Sequence, residues 1–149
     1  YLNRKGYDTD SLDTLLNKQS GLLGISGSSN DVRDLELKAD DGDDRAELAL
    51  NIFAYRIKKY IGAYMAVLNR VDAIVFTGGI GENGAAMRHR ILSDMDQQGI
   101  VIDNMRNEIH AGVAGEIQGA TSRIKVMIIP TNEELAIARD TFKLTTMKH

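Results

Sequence analysis

The sequence predicts an α/β fold, mostly parallel strands with helices packed against them. Three observations carry that reading. Residues 71–77, VDAIVFT, form a short, apolar and partly β-branched run, as suits a strand buried on both faces. Residues 123–130, RIKVMIIP, form a second such run. Each is followed by a helix-like segment, after a cluster of glycines in the first case and after Thr131-Asn-Glu-Glu134 in the second. The order strand, helix, strand, helix, strand, helix is one that right-handed crossovers assemble into a parallel sheet.

The elements follow in order. Residues 10–18, DSLDTLLNK, read as a short helix capped by Asp10, with Asp13 in its first turn and Leu12, Leu15 and Leu16 on its apolar face. Residues 20–30 hold three glycines and four serines in eleven positions, which argues for loop. Asp31 can cap a turn over DVRDLE. The acidic patch of Asp40, Asp41, Asp43 and Asp44 reads as the start of a helix from about 43 to 69, because acids suit the positive end of the helix dipole. Leu48, Ile52, Tyr55, Tyr60, Tyr64 and Met65 spread apolar surface too widely for one narrow stripe, so this helix is expected to pack on more than one side. After the strand at 71–77 come a helix at 84–97, a short strand Ile100–Ile102, a short helix Asn104–His110, and the strand at 123–130. The last helix runs from 131 to about 142. Thr131 and Glu134 have the T-x-x-E spacing of a capping box there.

The 149 residues fit one domain, and 43% apolar with 26% charged residues is ordinary for a globular chain. A net charge of -3 gives no reason to expect nucleic acid or an anionic membrane as partner. With no cysteine, disulfides, thiolate catalysis and cysteine-bound metals are excluded. No apolar run reaches the roughly 18 residues of a membrane span, and no secretory signal is evident. The first residue is Tyr1 rather than Met, which points to a piece of something longer.

The candidate for chemistry is the glycine-rich bend after Phe76. Gly79, Gly81 and Gly84 spell G-x-G-x-x-G between a strand and a helix, and Asp103 follows about where a ribose-binding acid belongs in a Rossmann-type NAD-binding module. Against that, some 70 residues precede the motif and too few strands follow it. The glycines can also serve only positive φ and close helix–strand packing. The residues alone leave these readings open.

Five stretches in sequential order resemble the acetate kinase family: LNKQSGLLGISG (16–27), DVRDLE (31–36), RIKKYIGAY (56–64), VFTGGIGEN (75–83) and IPTNEEL (129–135). The resemblance covers nearly the whole chain. It implies part of a ribonuclease H-like, actin-like ATPase domain, the C-terminal part of the second, nucleotide-side domain, with the N-terminal domain absent from this chain. It implies ATP/ADP and Mg2+ as cofactors, acetate and acetyl phosphate as substrates of the intact enzyme, a cytoplasmic homodimer and a role in acetyl-CoA biosynthesis. Gly78, Gly79, Ile80, Gly81, Glu82 and Asn83 then look like the adenosine-binding turn, and Gly84 becomes incidental. Asp31, Val32 and Arg33 look like a second nucleotide-contacting stretch, and Glu133 like a magnesium ligand.

Each implied role has a physical counterpart. Glycine backbone without a Cβ can lie along a ribose and base. Arg33 can meet phosphate oxygens, or simply form an ion pair on a solvated loop. Glu133 is not needed by the capping box and is free to hold a metal, or only to complement the helix dipole. Phosphoryl transfer also needs cationic and acidic groups around the transferring phosphoryl. The resemblance puts these upstream, and His89, His110 and His149 match none of the family's catalytic positions. The chain alone is therefore expected to be inactive. Propionate or butyrate kinase is the enzymatic alternative.

Overall fold

The computed structural model describes residues 1–146, so His149 lies outside the described residues. They divide into two compact units, one spanning Tyr1–Asn69 and one starting at Arg70.

The first unit is helical. Helix α1 is Thr9–Lys18, and its cap is Asp8, which accepts a hydrogen bond from the Ser11 amide at 2.8 Å. Asp10, the expected cap, lies inside the first turn, two residues too late to reach an unpaired amide in extended backbone. The expected loop at 20–30 contains a helix, α2, Gly21–Ser26. Its glycines punctuate rather than break it. Gly27 follows with φ 71° and donates to the Leu23 carbonyl at 2.7 Å, a left-handed stop open to glycine. Asp31 caps α3, Val32–Asp40, by accepting from the Arg33 amide. Asp43 caps α4, Asp44–Leu68, accepting from the Arg45 and Ala46 amides.

Arg45 reaches back from α4 to the Ile25 carbonyl at the end of α2, through Nε at 3.1 Å and one terminal nitrogen at 2.8 Å. The unit's core is Val32 and Leu35 of α3 against Ala46, Ala49, Leu50 and Ala54 of α4. These α4 positions form a single stripe at helical spacing. The expectation that α4 packs on several sides is corrected: Tyr55, Tyr60, Tyr64, Val67 and Leu68 are exposed.

The second unit holds the described strands, β1 (Ala73–Phe76), β2 (Gly115–Glu116) and β3 (Lys125–Ile128), in the order β1-β3-β2. β1 and β3 pair in parallel, Ala73 opposite Lys125 through Phe76 opposite Ile128, while β2 runs antiparallel to β3. The sheet is therefore mixed rather than mostly parallel. The expected strand at Ile100–Ile102 reduces to one antiparallel bridge, Ile102 to Gln118. The Val101 amide donates to Ser122 Oγ and its carbonyl accepts from the Gly119 amide. Its backbone is thus satisfied by a loop, and Ile100 is buried as core.

Helix α5 is Gly78–Asn83, α6 is Ala85–Leu92, and α7 is Asn104–Ile109 as expected. α6 stops five residues before the expected 97, because Ser93 is extended and Asp94 turns left-handed at φ 57°. Phe76, Met87, Ile91, Leu92, Ile117, Val126 and Ile128 are buried between sheet and helices. The last helix, α8, is Glu133–Thr146, longer than expected and with no buried residue.

Candidate functional site

Thr77, in extended backbone, delivers β1 directly into α5, so the glycine-rich bend is a short helix rather than an open loop. Its glycines do two kinds of work. A Cβ on Gly81 would lie 3.3 Å from the Phe76 carbonyl carbon, and one on Gly84 would lie 2.7 Å from the Ile80 oxygen. Gly81 lets α5 pack closely on β1, and Gly84 lets α5 and α6 meet closely. At Gly78 and Gly79 a Cβ would meet nothing within 4 Å, so bare main chain faces open space, and Gly78 has φ +71°. Ile80 beside them is 43% exposed. Asn83 is exposed, and its side-chain amide donates to the Gly79 carbonyl at 3.0 Å.

Two side chains fix this segment. The Arg88 guanidinium is fully buried. It donates to the carbonyls of Gly81 at 2.8 Å and Glu82 at 2.9 Å, and to the Asn107 side chain at 2.7 Å and carbonyl at 2.8 Å. Asn107, also buried, donates in turn to the Ala85 carbonyl at 2.9 Å. Burial pushes the Arg88 pKa down while the Glu108 charge opposes that. A guanidinium nevertheless stays protonated, so a positive charge sits at the C-terminal end of α5, the end that favours it.

The second is Glu82. Its carboxylate accepts from the Gly78 amide at 2.8 Å, the Thr131 amide at 2.8 Å and the Thr131 hydroxyl at 3.0 Å. The Thr131 amide is the largest cause holding this carboxyl below the usual glutamate range. Glu82 thereby ties the glycine helix to the residue two before Glu133, at the head of α8.

Thr131 therefore does not form the expected capping box with Glu134. Asn132 caps α8, its side-chain oxygen accepting from the Leu135 amide at 3.0 Å, because the Thr131 hydroxyl is turned to Glu82. Glu133 and Glu134 are then both exposed first-turn acids, and the box no longer sets them apart. Among the described residues no three His, Cys, Asp or Glu side chains cluster as a metal site.

Asp103, the ribose acid of the Rossmann alternative, instead caps α7 by accepting from the Arg106 amide at 3.0 Å. With the second strand of that motif missing as well, the fingerprint has no supporting frame. His89 is exposed, its Nδ1 2.9 Å from the Asn104 side-chain oxygen. Arg88, Asn107 and the use of Thr131 were not anticipated from sequence. Arg88 carried one signal: it follows Met87 and lies three residues before Ile91, on helical spacing with apolar positions.

Asp31, Val32 and Arg33 belong to the first unit. Asp31 both caps α3 and pairs with Arg33, its two oxygens 3.1 Å and 2.6 Å from Nε and a terminal nitrogen. Val32 is buried, whereas the Arg33 side chain is 86% exposed. Val32 can therefore offer a ligand little beyond its backbone. The Arg33 guanidinium first, then its amide, holds Asp31 down to about 2.

A depressed carboxyl stabilises the fold above its unfolded pKa and loses that contribution as pH falls through its folded one. For Asp31 the window is between the ordinary 3.8 and about 2. Carboxyl titration by NMR is expected to find Asp31 near the lower value. In Arg33→Ala it should rise towards 3.8 yet stay below it, since the residue 33 amide still donates. An unchanged titration in that variant would show the ion pair to be absent in solution.

A model of the acetokinase family matches residues 1–139. Acetate kinase of Methanosarcina acetivorans is 56% identical over 140 residues, 94% of this chain and 34% of that protein. Acetate kinase of Caldicellulosiruptor bescii is 50% identical over 144 residues, 96% of this chain and 36% of that protein. The chain thus spans about a third of the length of the curated relatives it matches. Among solved structures, Porphyromonas gingivalis acetate kinase superposes with a TM-score of 0.86 at 42% identity, covering 97% of this chain and 36% of that one. A propionate kinase from Francisella tularensis gives 0.82 at 43% identity, covering 91% and 34%.

Proposed function

The chain belongs to the acetokinase family, and from that premise we propose that it is the nucleotide-side third of an acetate kinase. The whole protein would transfer the γ-phosphoryl group of ATP reversibly to acetate, giving acetyl phosphate. Within it, the backbone of Gly78–Asn83 would lie along adenosine, with Asp31, Val32 and Arg33 as a second nucleotide contact and Glu133 as the magnesium-side carboxylate.

One observation carries this reading. Glu82 ties the open backbone at Gly78 and Gly79 to the head of α8, where Glu133 is exposed. The residues present fit the group they would hold. Space where a Cβ would stand at Gly79 admits a flat ligand against the main chain. One or two carboxylates beside phosphates are how proteins commonly hold magnesium, and Glu133 is exposed at the head of α8. Magnesium, when bound, neutralises charge on the phosphates. Glu133 would orient it.

The same reading carries a cytoplasmic homodimer without nucleic-acid or membrane partners. A net charge of -3 gives no reason to expect nucleic acid or an anionic membrane as partner.

Calorimetry on the 149-residue chain tests the proposal. ADP and ATP are expected to bind in the presence of Mg2+, with NAD binding far more weakly, and acetyl phosphate formation should stay at background. Glu133→Gln should abolish the Mg2+ dependence of ADP binding. NAD binding tighter than ADP would overturn the nucleotide assignment, and turnover by this chain alone would overturn its assignment as one part of a divided site.

A further inference from the structure

We propose that Glu82 is a positioning residue that locks the adenosine-side glycine helix to the metal-side head of α8, so that nucleotide and metal affinity depend on each other through it. The inference rests on the nucleotide reading above and deepens it. It also departs from the expectation that Glu82 itself contacts the nucleotide.

The geometry leaves one oxygen of that carboxylate occupied by the protein. Three donors converge on one oxygen: the Gly78 amide at 2.8 Å, the Thr131 amide at 2.8 Å and the Thr131 hydroxyl at 3.0 Å. The other end of the same residue is held too. The Glu82 carbonyl accepts from buried Arg88 at 2.9 Å and from the Gly112 amide at 2.7 Å. Glu82 is thus clamped through its backbone to the core and through its side chain to Thr131, 49 residues further along.

The charge-assisted bonds are the stronger kind, and the lowered Glu82 pKa agrees with a carboxylate kept charged by its donors. Thr131 precedes Glu133 by two residues. α8 buries none of its residues, so its own packing does little to fix its first turn, and the Glu82 bridge supplies that constraint. A ligand ordering Gly78 and Gly79 would thereby order the backbone carrying Glu133, and the reverse, which is a coupling free energy between two sites.

The test measures ADP affinity by calorimetry, with and without Mg2+, in the full 149-residue chain. Mg2+ should tighten ADP binding by the wild type. In Glu82→Ala, affinities with and without Mg2+ should agree within about twofold, while metal-free affinity changes by less than about threefold, the pattern of lost coupling rather than lost contact. Glu82→Gln, whose amide oxygen can accept from the same donors, should restore most of the Mg2+ effect. Glu82→Ala combined with Glu133→Gln should be no weaker than Glu133→Gln alone, because the two act as one unit.

A Mg2+ effect kept intact in folded Glu82→Ala would overturn the inference. So would a metal-free ADP affinity that falls as far as the Mg2+-bound one, since that marks a direct nucleotide contact. Should Glu82→Ala not fold, Thr131→Val removes one donor and leaves the backbone, and Thr131→Ser restores it. A Mg2+ effect reduced in the first and recovered in the second supports the bridge, and no difference between them refutes it. Wild-type chain that binds no ADP at all would remove the nucleotide reading and this inference together.

Discussion

Arg88→Ala is expected to lower the stability of the second unit by about 3–5 kcal/mol, the range for large buried truncations that also orphan polar partners. The guanidinium is fully buried and serves four acceptors: the Gly81 and Glu82 carbonyls and both oxygens of Asn107. Alanine removes every donor and opens a cavity between α6 and α7. The Glu82 carbonyl keeps the Gly112 amide as a donor, but each buried acceptor left without a partner costs about 1–3 kcal/mol, so the Gly81 and Asn107 oxygens outweigh any relief from removing a desolvated charge.

Two further variants separate the contributions. Arg88→Met fills much of the volume but donates nothing, and should recover only the cavity part. Arg88→Lys keeps a charge that can reach the α5 carbonyls but lacks the planar fork serving Asn107 on its other edge, and should fall between wild type and methionine. Urea unfolding monitored by circular dichroism checks the order. An Arg88→Ala midpoint equal to wild type would mean that the buried fork contributes nothing net.

How much of this was legible in the sequence depends on how local the cause was. The start of α4 was readable because the acids Asp40, Asp41, Asp43 and Asp44 suit the positive end of the helix dipole, an effect confined to the first turn. β1 and β3 were readable as apolar runs between breakers, and α7 as a short helix, though not its cap Asp103. Whatever depended on a distant partner was not. Ile100–Ile102 has the composition of a strand, yet the Val101 backbone bonds to Gly119 and Ser122 in a loop and the Ile100 amide donates to Met95. Thr131 and Glu134 have the spacing of a capping box, and a carboxylate 49 residues earlier takes the threonine away.

The glycine-rich stretches misled in a second way. GLLGIS and GGIGEN read as loop and turn because glycine is a poor helix former. Both are helices here, with Gly27 ending the first and Arg88 holding the C-terminal carbonyls of the second. For the candidate site, sequence reading singled out the glycine segment and Glu133 as candidates but not the Glu82 bridge that connects them. It assigned Glu82 to the ligand, whereas the carboxylate is turned to Gly78 and Thr131.

Gly79→Ala and Gly84→Ala should have opposite effects, though both sit in the same G-x-G-x-x-G. A methyl at residue 84 would lie 2.7 Å from the Ile80 oxygen, the very acceptor of the Gly84 amide at 2.9 Å. That backbone cannot yield as a flexible side chain would, so α5 must shift on α6. Overpacking of this kind costs about 1–3 kcal/mol. Residue 84 also passes its own carbonyl to the Arg88 amide at 2.9 Å, so the shift would disturb the helix that carries the buried guanidinium.

At Gly79 a methyl meets nothing within 4 Å and the backbone needs no positive φ. Alanine there should leave stability unchanged or raise it by up to about 0.5–1 kcal/mol. Its cost should fall on binding: the methyl stands where the nucleoside would lie, and ADP affinity should drop by at least about tenfold, or about 1.4 kcal/mol. Gly79→Leu should lose more. Thermal unfolding and ADP calorimetry on the same two variants therefore separate a packing role at Gly84 from the proposed ligand contact at Gly79. ADP binding undiminished in Gly79→Leu would mean that the bare backbone at residue 79 is not the surface a nucleoside meets, and the site would have to be sought on another face of α5.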